Sequence, residues 1–529
     1  MIRLKSAAAL AAVCAAFMVI APAVMAQEKA PEAAEKPEKP GPEKLGKAAE
    51  QVEAATARAP AVEQAKTTSH SLTLNGKVIA YKATAGTLTI RDAAGKPTGS
   101  IFYVAYTADG MGPKRPITFI YNGGPGSASL WLHMGSFGPV RVRVTGPNAI
   151  PPAPYAYGPN EYSLLDKTDL VFIDAMGAGY SRPLGETKPQ AFYGVDQDVD
   201  AFAKAIERYA TINGRWNSPK FIFGESYGTT RSGALSDRLE GDGMSLNGVI
   251  ILSSILNYGI RQPGFDQIYV GYLPSYAATA WYHNKINNKP ANLADFVQKA
   301  RDFAAGPYAA ALAKGTDISP AEADSIAQQM SAFTGLSPQF IKNASLRVDL
   351  SRFRKELLRD EGVVVGRYDS RFTGTDSDSA GEAPESDPSD TAISAAFISS
   401  VRDYLGQDLG YKTDLDYRQS ASEGGEFDWD WHHKFGQRRQ TTADVALDLA
   451  EALRNNPHLK LLSLNGYFDM ATPFFETEYD IKHMPLPPEA VKNVAFRYYE
   501  SGHMAYLNPD SLKQLKKDLA AFYDEAAPQ

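Results

Sequence analysis

Six apolar stretches of this chain, residues 117–121, 170–174, 220–223, 249–253, 459–464 and 494–499, lack the alternation of apolar and polar side chains. A strand with no polar face has to be buried on both sides, which is the situation of strands inside a parallel sheet. Amphipathic stretches of helical period lie between several of them, for example 195–209 and 231–239. Parallel neighbours cannot be joined by a hairpin, so strand and helix must alternate. The chain is therefore expected to form an α/β fold, a mostly parallel central sheet with helices on both faces.

Outside that rhythm the pattern changes twice. From about Ser69 the runs 78–82, 86–90 and 100–107 carry β-type residues between Gly, Asn and Asp turn signals, which predicts antiparallel strands opening the sheet. Between 258 and 440 helical stretches take over, among them 320–332, capped by Ser319, and 346–359. An insertion of that length is expected to be a large, mainly helical cap over the site. Inside it, 373–390 is rich in Asp, Ser, Gly and Pro. Asp376-Ser377-Asp378 opens like a calcium loop, but Ala380 stands where an oxygen ligand belongs, so a solvated, mobile loop is expected. Thr441 and Asp444 resemble a capping box, which predicts a helix through Leu453 returning the chain to the sheet.

The amino terminus reads as a secretory signal: basic Arg3 and Lys5, an apolar run over 7–24, and Val24-Met25-Ala26 as the cleavage site. Residues 27–66 are rich in Ala, Glu, Lys and Pro and hold too few large apolar side chains to offset chain entropy, so a disordered linker is expected. The expected organisation is signal 1–26, linker 27–66, core 67–257, cap 258–440 and core again 441–529. Export to the periplasm or the medium follows, with no membrane span once the signal is removed. The formal net charge is −7 over 529 residues and becomes more negative without Arg3 and Lys5, which gives no sign of a nucleic-acid partner. Cys14, the sole cysteine, lies in the signal. The mature chain is thus expected to form neither a disulfide nor a thiolate nucleophile, and covalent catalysis has to use oxygen or nitrogen.

Gly224-Glu225-Ser226-Tyr227-Gly228 directly follows the strand signal Phe221-Ile222-Phe223 and precedes a helical stretch. Small residues on either side permit a sharp strand-to-helix turn that exposes the serine, so Ser226 is the expected nucleophile. A hydroxyl of ordinary pKa needs a base, and the base needs an acid to hold its tautomer. His503 is the only one of eight histidines just past a late strand, and Asp469 follows the strand before it, through an expected Asn-Gly turn. Both fall at strand carboxyl ends, where open α/β sheets place their ligands. Glu476 and Asp480 are competing acids, and His432 and His433 competing bases. With no His-Glu-x-x-His pattern, neither a metal nor another cofactor is expected. The backbone N–H of Tyr227 is one expected oxyanion donor. The other is expected from the loop Asn122-Gly123-Gly124-Pro125-Gly126, whose glycines let amides approach a bound substrate.

These motifs, with Gly177-Ala178-Gly179-Tyr180-Ser181 and Ser501-Gly502-His503-Met504, resemble in their order the serine carboxypeptidase family of the α/β-hydrolase fold. The resemblance runs over about 115–256 and 459–509. It implies hydrolysis of a peptide or protein substrate from its carboxyl end, with Gly124 and Tyr227 as oxyanion donors. It also implies Asn122, Gly123 and Glu225 as the site for the substrate's terminal carboxylate, with Glu225 bound as the neutral acid. The family places a second glutamate shortly after the glycine-rich loop, where this sequence has Ser136. That departure keeps an esterase or acyltransferase on the same triad as the alternative.

Overall fold

The computed structural model describes residues 61–527. The expected signal, and the linker up to residue 60, lie outside the described residues. Ala65 and Lys66, at the end of the expected linker, already belong to the first strand.

Nine strands form one continuous sheet: β1 (Ala65–Leu74), β2 (Lys77–Arg91), β3 (Pro97–Ala108), β4 (Ile117–Tyr121), β5 (Asp169–Ile173), β6 (Lys220–Ser226), β7 (Gly248–Ser254), β8 (Lys460–Gly466) and β9 (Val494–Tyr499). Their order is β1-β2-β3-β5-β4-β6-β7-β8-β9, and the two-residue strand Arg182–Pro183 pairs with β3. The first three strands are antiparallel, β3 meets β5 antiparallel, and every pairing from β5 to β9 is parallel. Two runs expected as separate strands, 78–82 and 86–90, are one strand, β2. Gly86 marks a close passage rather than a turn: a Cβ there would stand 2.7 Å from the Gln64 carbonyl oxygen.

The parallel strands are buried on both faces. Phe221, Phe223, Ile250 and Leu462 point into one core, closed by helix α9 (Pro509–Ala526) through Leu512, Leu515 and Phe522. Ile222, Val249, Ile251 and Leu461 point into the other, beneath α1 (Val195–Ile212), α2 (Tyr227–Gly241) and α8 (Ala446–Asn455). Helix α8 begins later than the capping-box spacing predicts. Asp444 Oδ1 accepts from the Ala446 N–H at 3.2 Å, so the cap is local to Asp444 and Thr441 stays outside the helix.

The inserted segment has a core of its own, built by Tyr276 of α3 (Gln267–Tyr282), Phe303 of α4 (Leu293–Phe303), Met330 of α5 (Pro320–Thr334) and Phe353 of α6 (Leu350–Glu356). Helix α5 starts where Ser319 accepts from the Glu322 N–H. The helix expected over 346–359 is shorter, because Ser345 and Leu346 adopt positive φ (52° and 64°) and a helix can start only after the Asp349 cap. The loop expected to be free in solvent is tethered. Lys355 Nζ donates to Asp376 Oδ2 at 2.6 Å and to the Asp378 carbonyl at 2.7 Å, and the Lys355 and Asp376 side chains are buried. Past α7 (Ser394–Asp403), the chain turns back across the core as a strap. Bonds from Ala128 N–H to Gln419 O and from Ala421 N–H to Gly126 O stitch it to the glycine-rich loop.

Candidate active site

Strand β6 ends on Ser226 and α2 starts on the next residue. Ser226 sits at φ 61°, ψ −130°, a conformation that costs a non-glycine residue about 1–3 kcal/mol and persists only when its surroundings enforce it. The flanking glycines explain the enforcement. A Cβ on Gly224 would lie 2.1 Å from the Gly228 carbonyl oxygen, and one on Gly228 would lie 2.9 Å from that of Tyr121. The turn is packed as tightly as backbone allows.

Strand β8 runs through Asn465 and Gly466, so these two residues are not the turn the sequence suggested; Asp469 comes three residues later. His503 follows β9 on the neighbouring strand. His503 Nδ1 and Asp469 Oδ2 are 2.8 Å apart, both side chains almost wholly buried. Asp469 Oδ1 accepts from the N–H groups of Ala471 (2.8 Å) and Thr472 (3.0 Å), and the Thr472 hydroxyl lies 2.8 Å from Oδ2. The His503 backbone is fixed too: its N–H donates to Tyr368 O at 2.6 Å and its carbonyl accepts from Ser253 Oγ at 2.6 Å. Burial works against a charge on His503, but the charge and hydrogen bond of Asp469 more than offset it, and the imidazole is held above its ordinary pKa.

The competing acids are occupied elsewhere. Glu476 accepts from Arg261 at 2.6 Å, and Asp480 Oδ2 faces the N–H groups of Leu256 and Asn257. His433 bridges Asp196 (2.7 Å) and Asp448 (3.0 Å), joining the strap to α1 and α8. Burial opposes its charge, yet these two acids push it up to about 9. His432 pairs with Asp430 at the surface. Among the described residues no group of three or more His, Cys, Asp or Glu is placed to hold a metal ion.

Ser226 and His503 line one cavity of about 270 Å³, together with Asn122, Gly123, Gly124 and Glu225. Gly123 presses on the start of α2, where a Cβ would lie 2.3 Å from Tyr227 N, and Gly124 takes φ 105°. The loop thus lies against the Tyr227 amide. Asn122 is held at three points: Oδ1 accepts from Leu132 N–H (2.9 Å), Nδ2 donates to Glu225 Oε1 (2.8 Å), and its carbonyl accepts from Arg231 Nη1 (2.8 Å). Burial pushes Glu225 up to about 7, against the opposing influence of His503. Behind the loop, Asp174 Oδ1 accepts from Ser129 N–H at 2.7 Å, and Gly179 lies so close that a Cβ would overlap the Asp174 carboxylate. The Gly177-to-Ser181 turn therefore packs on Asp174, which holds Ser129 just past the glycine-rich loop.

The serine carboxypeptidase family profile matches residues 75–508, most of the chain. The chain belongs to the serine carboxypeptidase family. It is a serine hydrolase of the carboxypeptidase type on an α/β-hydrolase fold. No curated protein matches the sequence. Similar solved structures include a prohormone-processing carboxypeptidase from Saccharomyces cerevisiae, at 15% identity over 84% of this chain and 91% of that one, with a TM-score of 0.49. Others are a proline iminopeptidase from Mycobacterium smegmatis (14%, 83% and 98%, 0.33) and a carboxyl esterase from Bacillus coagulans (10%, 83% and 98%, 0.35).

Several residues around the cavity carry no sequence signal of their own. Trp131, Tyr368, Asp390, Gln419 and Ser420 complete its wall, four of them delivered by the inserted segment. Thr472 was in reach of sequence reasoning, since a hydroxyl three residues after a buried acid is a common local donor. Tyr368, Asp390, Gln419 and Ser420 are brought in only by the packing of the insertion.

Proposed function

We propose that this protein is an exported serine-type carboxypeptidase in which Ser226, His503 and Asp469 form the catalytic triad. The supporting observation is that Ser226, His503 and the Glu225–Asn122 pair line a single cavity, with Asp469 hydrogen-bonded to the far nitrogen of His503. Ser226 Oγ attacks the carbonyl carbon of the last peptide bond and its proton passes to His503. The negative charge on the carbonyl oxygen is met by the amides of Gly124 and Tyr227. Collapse of the tetrahedral intermediate returns the proton to the leaving amine and frees the carboxyl-terminal amino acid. Water then gives a proton to His503, attacks the acyl-enzyme and releases the shortened peptide, and the proton returns to Ser226. Asn122, Gly123 and neutral Glu225 would hold the terminal carboxylate, because a charged Glu225 would repel it.

The deciding measurement is release of free amino acid from a peptide with a free carboxyl terminus and from its amidated twin, by wild type and Ser226→Ala, from pH 4 to 8. Activity confined to the free-carboxyl peptide, and absent in the variant, is the expected result. Ser136, where the family carries an acid, favours a second reading, an esterase or acyltransferase on the same triad. Turnover of a simple ester with none of either peptide would establish that instead. Export rests on the amino-terminal 26 residues, and recovery of the protein only in the cytoplasmic fraction would refute it.

A further inference from the structure

Glu225 and Tyr506 are buried polar groups, each 3% exposed, that the reaction described above leaves only partly accounted for. Glu225 Oε1 accepts from Asn122, whereas Oε2 and the Tyr506 hydroxyl are each buried without a formed hydrogen bond. A buried donor and a buried acceptor left unmet are rare and costly. The two side chains are nevertheless neighbours that act on one another, and Asn122 also faces the phenol.

Ser136 offers Glu225 nothing. Its hydroxyl donates back to the Leu132 carbonyl, inside its own helical turn. One residue earlier Gly135 has no side chain, and a Cβ there would stand 2.6 Å from Tyr506 Cε2. The Tyr506 ring therefore packs against the turn that carries position 136.

We propose that Tyr506 is the positioning residue of Glu225, its phenol donating to Glu225 Oε2 in place of the acid that is absent at position 136. The proposal rests on reading Glu225 as the group that receives the substrate's terminal carboxylate. A phenol and a carboxyl partner differ in one consequence. Two acids side by side share a proton and drive one pKa up, whereas a phenol keeps its own proton and its hydrogen bond favours ionised Glu225. Tyr506 would thus restrain the rise that burial imposes. The other groups facing Glu225 are His503 and Asp469, from the loops after β9 and β8, and Asn122 after β4; Arg367 acts on His503, and Asp390 stands elsewhere on the cavity wall.

The test is kcat/KM between pH 5 and 9 on a free-carboxyl peptide and on a simple ester lacking the carboxylate, for wild type, Tyr506→Phe and Glu225→Gln. In Tyr506→Phe the alkaline limb for the peptide should move up by about one pH unit, with KM raised at pH 6, kcat unchanged and the ester profile unaltered. Glu225→Gln should have no such limb. Site-specific 3-fluorotyrosine at 506 fills the same space with a stronger donor, and should move the limb down. Limbs that coincide in wild type, Tyr506→Phe and the fluorinated protein, while Glu225→Gln has lost its own, would overturn the role of Tyr506 alone. A Glu225→Gln enzyme that keeps the limb and the preference for a free carboxyl would instead remove the reading beneath it.

Discussion

Arg231→Met should cost this protein several kcal/mol, and more at high pH than at low. Arg231 is wholly buried in α2. Its Nε and Nη2 donate to the Asp198 carboxylate of α1 at 2.6 and 3.1 Å, Nη1 donates to the Asn122 carbonyl at 2.8 Å, and the guanidinium lies 3.9 Å from the centre of the Phe202 ring. Methionine keeps much of the volume but leaves Asp198 unpaired. Breaking one partner out of a buried pair costs about 3–5 kcal/mol. Total stability is typically about 5–15 kcal/mol, so a large part of it is at stake.

The pH dependence follows from Asp198. Burial already holds its carboxyl above the ordinary range, and Arg231 only partly draws it back. Without Arg231 the folded-state pKa climbs further above the unfolded value near 3.9. A raised folded pKa means stability is intact below the unfolded value and falls as pH rises towards the folded one, by about 1.4 kcal/mol per unit. Guanidinium unfolding at pH 5 and pH 8 should therefore show the greater deficit at pH 8, and Asp198→Asn in the Arg231→Met background should recover most of it. A deficit below about 1 kcal/mol, equal at both pH values and untouched by the second substitution, would refute the reasoning.

Free-carboxyl peptides should show a bell-shaped kcat/KM, rising as His503 loses its proton and falling as Glu225 ionises near pH 7; esters should show the rising limb alone. Because the two groups interact, the limbs report the pair and not either residue singly. Thr472→Val removes a hydroxyl 2.8 Å from Asp469 Oδ2, and should lower kcat about tenfold with KM unchanged on stopped-flow or steady-state assay. Asp480, driven well above the ordinary carboxyl range by burial and then by Glu476, has Oδ1 buried without a partner. Asp480→Asn removes the cost of ionising it and should raise stability by about 1–2 kcal/mol at pH 8, with a smaller gain near pH 4. No change between the two pH values in thermal unfolding would argue against this.

The parallel half of the sheet was legible because strands such as β4 and β6 are buried on both faces and leave unbroken apolar runs. Strand β1 was not: its ten residues are mostly polar and largely exposed, and pairing with β2 is what holds them extended. Ser226, Asp469 and His503 could be singled out as candidates from the sequence because each lies at or just past a strand's carboxyl end, where chain order and the sheet's geometry restrict what can meet. The walls of the cavity could not. Tyr368, Asp390, Gln419 and Ser420 come from an inserted segment, and their places are decided by how it packs on the sheet's core and on the glycine-rich loop. Ser136 shows the same limit from the other side. The sequence reports that an acid is missing there, but only the folded chain brings Tyr506 against neighbouring Gly135. Local motifs fix backbone turns through sterics that act over a few residues. The surroundings of a buried carboxyl depend on contacts between segments hundreds of residues apart, and those exist only once the chain has folded.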